Sequence, residues 1–143
     1  MEMTIRLLSE LILLLLNAFY VATEFALTRL RQYDRDELED TPGLNRAWEM
    51  TETLEIYLTS CQIGITTTSI LLGVIAEPAV TELIKLLFTT DSIGAVSTHA
   101  ISIVLSVSII NIIHTIWGEQ TPTYLGVERA KTVAKYCAIP LYW

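Results

Sequence analysis

Charged residues are scarce in this sequence, and most of those present are acidic. Asp, Glu, Lys and Arg make up 17% of the 143 residues, whereas 52% are hydrophobic. The net charge of -7 and the lack of a basic stripe argue against nucleic acid as a partner, because nothing could neutralise its phosphates. A chain this apolar falls in the membrane class, and it is long enough for about three spans of roughly 20 residues each.

Motifs of common enzymes are also missing. His114 and Glu119 are five residues apart, which is not the His-Glu-x-x-His spacing of a zinc protease, and the sequence has no Gly-x-Ser-x-Gly or glycine-rich phosphate loop. The two cysteines, Cys61 and Cys137, suggest neither a disulfide framework nor a zinc pair, and we expect both to be free buried thiols. We therefore predict that the chain is not an enzyme.

The first apolar run begins almost at the amino terminus and carries polar residues at regular spacing. About 22 residues separate Arg6 from Arg29, which is some 33 Å of helix and enough to cross a bilayer. Glu10, Asn17 and Glu24 recur every seven residues, so they lie on one stripe, which we expect to face a bundle interior or a hydrated cavity. The run is too long for a signal peptide and lacks a cleavage site, so we expect it to remain in the mature protein.

One face of the second apolar run is polar or small from end to end. Its residues step three or four at a time: Thr59, Gln62, Thr66, Ser69 and Gly73. Two explanations stay open, because small and hydroxylated residues allow membrane helices to pack closely, and polar residues at mid-depth are also typical of a hydrated site. We expect Glu77-Pro78 to end this span.

The third apolar run ends in a carboxylate that stands beside a glycine and just before a proline. Trp117 is followed by Gly118 and Glu119, and Pro122 comes three residues later. A lipid-facing helix does not tolerate such a charge, and glycine and proline interrupt the helical hydrogen bonds, which frees carbonyl oxygens. We interpret this stretch as part of a polar pocket between membrane helices. His114 is either an ion ligand or, as is common for a lone histidine, a hydrogen-bonded packing residue.

These patterns predict an all-α integral membrane protein with three transmembrane helices and an amphipathic juxtamembrane helix on the cytoplasmic side. Basic residues follow the first and third spans, so the positive-inside rule puts the amino terminus outside the cell membrane and the carboxyl terminus in the cytoplasm. The predicted spans cover residues about 5–28, 57–76 and 97–117, and the juxtamembrane helix covers about 127–139.

Four stretches of the chain together match a family pattern. They are Asn17 to Leu27 (NAFYVATEFAL), Gln62 to Thr66 (QIGIT), Leu72-Gly73 with Glu77-Pro78, and His114 with Gly118-Glu119 and Pro122. In this order, and over nearly the whole chain, they resemble the transmembrane domain of the CNNM/CorC family. The resemblance implies that residues 1–143 form one such domain, which pairs as a homodimer in the lipid bilayer.

The function implied by the resemblance is the transport of divalent cations, namely export of Mg²⁺ coupled to Na⁺. Full-length members of the family continue into a cytosolic pair of CBS modules that bind ATP, and these 143 residues do not include that pair. An alternative is an ion-sensing membrane scaffold that regulates appended cytosolic domains without transporting ions.

The resemblance also implies a metal site within the membrane, lined by all three helices. Carried over residue by residue, it comprises Glu119, Gly118, Ser69, Asn111 and either Thr23 or Glu24. Mg²⁺ prefers oxygen ligands in octahedral geometry, which suits this set, and Na⁺ could occupy the same or an overlapping site. Asn111 and Glu119 are eight residues apart, so about 80° separates them on a regular helix and they can converge on one side.

Two features of the predicted site stay open. Glu24 supplies a second carboxylate if it faces the same cavity as Glu119. Thr123 and Val74 stand where many relatives have other residue types, so the ligand set and the preferred ion do not follow from the resemblance.

Overall fold

The computed structural model describes residues 2–87 and 95–142, and within these ranges every regular element is helical. Three of the helices are long, and the third of these continues through a π-helical segment into a further helix. The elements are α1 (Glu2–Leu30), a 3₁₀ turn (Arg35–Glu37), α2 (Pro42–Glu52), α3 (Leu54–Leu87), α4 (Ala95–Ile113), the π-segment (His114–Gln120), α5 (Thr121–Glu128) and α6 (Ala130–Tyr142).

Three helical stretches in the described part of the chain are long and apolar enough to cross a membrane. They are Thr4–Leu30, Leu54–Ala76 and Ala100–Glu128. Large apolar side chains cover their outer faces, and Ile12, Ile63 and Val104 are 63%, 63% and 65% exposed. A lipid-facing surface explains this exposure, since water-soluble proteins rarely expose large contiguous apolar patches. The prediction of an all-α membrane protein with three spans is confirmed.

Helical structure continues past both Pro78 and Pro122, beyond the predicted ends of the second and third spans. The apolar part of α3 ends at Ala76, but the helix runs on through Pro78 to Leu87. A proline removes one backbone hydrogen bond, and a long membrane helix accommodates this loss through its neighbours.

The third span also continues past Trp117, as the π-segment and then α5, so residues 123–126 between the predicted span and the predicted juxtamembrane helix are helical. Pro122 lies in the first turn of α5, a position that proline tolerates. The chain turns at Arg129 instead, so α6 begins at Ala130 and ends at Tyr142, three residues beyond each predicted bound of 127–139.

The apolar core lies where the carboxyl-terminal half of α1 meets α2 and α6. Ala26, Leu27 and Leu30 of α1 are fully buried there, beside Leu44 of α2 and Ala134 of α6. Burying these side chains fixes the end of α1 against the segments that flank the three spans.

Helix α5 packs closely against α1 at a glycine. A Cβ atom on Gly126 would lie 2.6 Å from the Ala22 carbonyl oxygen and 3.0 Å from the Phe25 Cβ. Small residues at such crossings allow membrane helices to approach each other. This contact holds the π-segment beside α1, where the candidate site lies.

Candidate functional site

One buried amide joins all three membrane spans. Asn17 of α1 is 1% exposed, and its Nδ2 donates a hydrogen bond of 3.0 Å to the Gly118 carbonyl oxygen of the π-segment. Its Oδ1 accepts hydrogen bonds from Thr68 Oγ1 at 2.8 Å and from Ser69 Oγ at 3.2 Å, both on α3. We call these four residues, together with His114, the Asn17 cluster.

The backbone of the π-segment explains why the Gly118 carbonyl can accept this bond. The Thr121 N–H donates to the Ile116 carbonyl, five residues back, instead of the usual four. Pro122, four residues after Gly118, has no N–H to donate. The Gly118 oxygen therefore lacks its ordinary α-helical partner, and Asn17 supplies a replacement. π-helical turns of this kind occur frequently at functional sites.

Gly118 is also required by the close packing of the cluster. A Cβ atom at this position would lie 2.7 Å from His114 Cδ2 and 3.1 Å from Asn17 Nδ2. Both distances are shorter than ordinary van der Waals contact, so any larger residue would displace a member of the cluster.

His114 is the member of the Asn17 cluster that lies beside Glu119. Its Nε2 lies 3.3 Å from Ser69 Oγ, and its Nδ1 lies 3.9 Å from Glu119 Oε1. The imidazole is 13% exposed, whereas the Glu119 side chain is 49% exposed. The histidine is thus a hydrogen-bonded residue between the buried oxygens and a more accessible carboxylate.

Glu119 and Glu24 line the same cleft, which we call the carboxylate cleft. It has a volume of about 260 Å³ and lies between α1, α3, the π-segment and the beginning of α5. Glu24 Oε1 accepts a hydrogen bond of 3.3 Å from Gln62 Nε2 of α3. The lining residues are Val21, Glu24, Phe25, Ile65, Glu119, Gln120 and Thr123. Two acidic groups from different helical elements therefore line one cleft, and His114 links one of them, Glu119, to the Asn17 cluster.

The structure brings together four of the six residues predicted for the site and leaves two outside. Ser69 and Gly118 belong to the Asn17 cluster, and Glu24 and Glu119 line the carboxylate cleft.

Thr23, one of the two outside residues, faces a different part of the fold. It is fully buried, and its hydroxyl donates 2.6 Å to the Phe19 carbonyl and lies beside Cys137 of α6. Thr23 is therefore not among the residues that line the carboxylate cleft, whereas its neighbour Glu24 is.

Asn111, the other outside residue, is exposed on α4. The prediction that it converges with Glu119 assumed a regular helix between them. Glu119 lies inside the π-segment, which begins three residues after Asn111, and the wider turns of this segment change the register.

Three members of the Asn17 cluster are not in the predicted ligand set: Asn17, Thr68 and His114, for which the sequence left two roles open. Asn17 did lie on the polar stripe of the first span, and a buried amide in an apolar helix is a recognisable signal. Thr68 is adjacent to Ser69 but lies off the polar face identified on the second span, so no pattern in the sequence singled it out.

A known protein family and several curated proteins match this chain over most of its length. The family described as the cyclin M transmembrane N-terminal domain matches residues 8–143. Among curated proteins, the chain is similar to UPF0053 protein YhdP of Bacillus subtilis (strain 168), with 36% identity over 134 residues, which cover 92% of this chain and 30% of that protein.

Two further relatives also match nearly the whole chain and a minor part of their own length. UPF0053 protein YrkA of Bacillus subtilis (strain 168) is 31% identical over 142 residues, covering 98% of this chain and 33% of that protein. Uncharacterized protein Rv1841c of Mycobacterium tuberculosis (strain ATCC 25618 / H37Rv) is 32% identical over 145 residues, covering 98% and 40%. The chain spans between 30% and 40% of the length of these relatives.

Proposed function

This chain belongs to the family of the cyclin M transmembrane N-terminal domain, and we propose from that premise that it carries divalent cations across a membrane. The finer proposal is that Mg²⁺ is the transported ion and that its movement is coupled to Na⁺. The observation that supports both is the Asn17 cluster with its adjoining carboxylate cleft, which concentrates oxygen atoms inside apolar spans.

The oxygens of this site suit a hard cation. Mg²⁺ takes oxygen ligands and binds through one or two carboxylates, with carbonyl, hydroxyl or water oxygens completing the octahedron. The Gly118 carbonyl, the Ser69 hydroxyl and the Glu119 carboxylate are the proposed ligands. Asn17 Oδ1 is a further oxygen within reach of Ser69. Glu24, on the same cleft as Glu119, supplies the second negative charge that balances a divalent ion.

We propose that binding an ion at these oxygens rearranges their hydrogen bonds. The Gly118 carbonyl oxygen accepts from Asn17 Nδ2 and has a second lone pair for a cation, so a bound ion weakens or replaces the bond to Asn17. Because Asn17 also bonds Thr68 and Ser69, its rearrangement couples the π-segment to α3. Occupancy of the site can therefore change how the third span packs against the other two. Such a change is what alternating access requires.

The experiment that tests this function is Mg²⁺ flux into liposomes that contain the purified protein and a trapped Mg²⁺-sensitive dye. We expect flux for the wild type and at least a tenfold loss for Glu119→Gln, which keeps the size of the side chain but removes its charge. Glu55→Gln is the matched control, because Glu55 is exposed at the start of α3 and lies outside the site. An opposing Na⁺ gradient should accelerate the wild-type flux.

The same experiment separates transport from the alternative function. Mg²⁺ binding by calorimetry without any flux would overturn the proposal and favour an ion-sensing scaffold. Flux that does not respond to Na⁺ would leave transport in place and overturn the coupling.

We also propose that two copies pair through an exposed, threonine-rich surface near the beginning of α3. Thr59, Gln62, Thr66 and Thr67 line a shallow exposed cleft of about 270 Å³ on this surface, within a span that otherwise meets lipid. Polar side chains in a membrane helix are stabilised when another helix covers them. Disulfide cross-linking of Thr66→Cys should yield a dimer, whereas Ile12→Cys on the outer face of α1 should not. Equal cross-linking of the two variants would contradict this pairing.

The remaining length of the relatives gives room for a cytosolic region. We propose that this region contains a CBS pair. We also propose that the carboxyl terminus of this chain lies on the cytoplasmic side. Protease protection of a tag at each terminus in sealed vesicles tests the orientation.

A further inference from the structure

A second cleft lies on the opposite side of the Asn17 cluster along α1 and is almost entirely apolar. Its volume is about 220 Å³, and its walls include Leu7, Leu11 and Leu14 of α1, Leu72 and Ala76 of α3, and Ile113 of α4. Glu10 is the acidic residue among its lining side chains. The cleft shares no lining residue with the carboxylate cleft.

Glu10 is incompletely satisfied in this position. Its Oε1 is buried and has no hydrogen-bond partner among the residues that the structure describes. A buried acceptor without a donor costs free energy, and ionisable groups inside membrane spans normally have a partner. Glu10 lies six residues after Thr4, where the first span begins, which is about 9 Å along the helix. This depth is close to the level at which lipid headgroups meet acyl chains.

We propose that this cleft binds a phospholipid with a primary ammonium headgroup, as in phosphatidylethanolamine. The occupant must combine an N–H donor and a positive charge for Glu10 with an apolar chain for the leucines. A primary ammonium supplies three N–H donors, whereas the quaternary ammonium of a choline headgroup supplies none. Charge-assisted hydrogen bonds are about twice as strong as neutral ones, so Glu10 distinguishes the two headgroups.

The exposed leucines of α1 complete the site. Leu7 and Leu11 are 51% and 52% exposed, one turn apart and on either side of Glu10. An acyl chain lying along them would cover apolar surface while its headgroup reaches the carboxylate. The site does not depend on ion transport, because none of its residues belongs to the Asn17 cluster or the carboxylate cleft.

The test is lipid retention measured by native mass spectrometry on protein from nanodiscs. The nanodiscs contain equal amounts of phosphatidylcholine and one competitor with the same acyl chains: phosphatidylethanolamine, its N-methyl derivative or its N,N-dimethyl derivative. We expect wild-type protein to retain phosphatidylethanolamine roughly tenfold over phosphatidylcholine, with the preference falling as methyl groups replace N–H donors.

Two variants test whether Glu10 causes the preference for phosphatidylethanolamine over phosphatidylcholine. Glu10→Gln should abolish it, because the charge is lost while the size is kept, and Glu128→Gln, an exposed carboxylate at the end of α5, should keep it. Equal retention of the two lipids by the wild type, or an unchanged preference in Glu10→Gln, would overturn the proposal. If Glu10→Gln does not fold, the series of methylated lipids on wild-type protein still tests the proposal, because the number of N–H donors is then varied in the lipid and not in the protein.

Discussion

Replacing Gly118 with alanine tests the geometry of the Asn17 cluster through a single methyl group. That Cβ would lie 2.7 Å from His114 Cδ2 and 3.1 Å from Asn17 Nδ2, closer than the ~3.5 Å at which carbon contacts become favourable. Overpacking of this size typically costs about 1–3 kcal/mol. Weakening the hydrogen bond between Asn17 and Gly118 adds about 1 kcal/mol.

Helix propensity acts in the opposite direction and must be subtracted. Alanine is favoured over glycine by about 1 kcal/mol in a helix interior, so Gly118→Ala should lower the free energy of unfolding by about 1–3 kcal/mol overall. Gly73→Ala is the matched control on α3, because a Cβ there would meet no heavy atom within 4 Å. It should raise the free energy of unfolding by about 0.5–1 kcal/mol.

The assay is reversible unfolding in mixed detergent micelles, followed by far-ultraviolet circular dichroism. We expect the two variants to shift stability in opposite directions and to differ by about 1.5–4 kcal/mol. If Gly118→Ala proved as stable as wild type, the close contacts of Gly118 with His114 and Asn17 would not exist in the folded protein. If both variants were stabilised equally, propensity alone would explain the result.

Three further results follow from the same contacts. Asn17→Ala removes the hydrogen bonds to both other spans and should lower the free energy of unfolding by about 2 kcal/mol in the same assay. This value combines about 0.6 kcal/mol for each hydrogen bond within a membrane with the cost of the cavity that the smaller side chain leaves. An unchanged free energy of unfolding would refute the linking role of Asn17. Glu24→Gln should weaken Mg²⁺ binding in calorimetry by tenfold or more if both carboxylates balance the ion, and equal affinity would remove Glu24 from the site. Burial raises the pKa of the Cys137 thiol, and its hydrogen bond with Thr23 lowers this pKa by a smaller amount. The folded protein should therefore react with maleimide more slowly than the unfolded chain, because the thiolate is the reactive form. Thr23→Val removes the hydrogen bond and should slow the labelling of Cys137 further. The pKa of Cys137 is higher in the folded than in the unfolded protein. The contribution of Cys137 to stability is therefore complete below the pKa of the unfolded thiol and is lost as pH rises through the pKa of the folded one. Rapid labelling of the folded protein near neutral pH would contradict the raised pKa.

The number and type of spans followed from the sequence because apolar length is a strong signal. The helix ends did not, because prolines that stop a helix in water are tolerated in the long helices of this fold. Pro78 lies inside α3, and Pro122 lies in the first turn of α5. Composition does not show whether neighbouring helices satisfy the freed carbonyl groups, and here Asn17 satisfies the one at Gly118.

The candidate site was predictable only where position along one helix was sufficient. Gly118 and Glu119 stand out at the end of an apolar run, and Glu24 lies on the stripe of the first span. Asn111 was placed with them by assuming 100° per residue, and the π-segment breaks that assumption. Thr68 became visible only through its contact with Asn17, because which face of α3 meets α1 depends on packing between helices.

The most direct test of the central claim is to locate a bound ion. Mn²⁺ has ligand preferences like those of Mg²⁺ and scatters anomalously, so diffraction from crystals soaked in Mn²⁺ would reveal its position. We predict an anomalous peak within coordination distance, roughly 2–2.5 Å, of the Gly118 carbonyl oxygen and a Glu119 carboxylate oxygen. A bound ion found elsewhere, with the hydrogen bond between Asn17 and Gly118 still intact, would contradict the account.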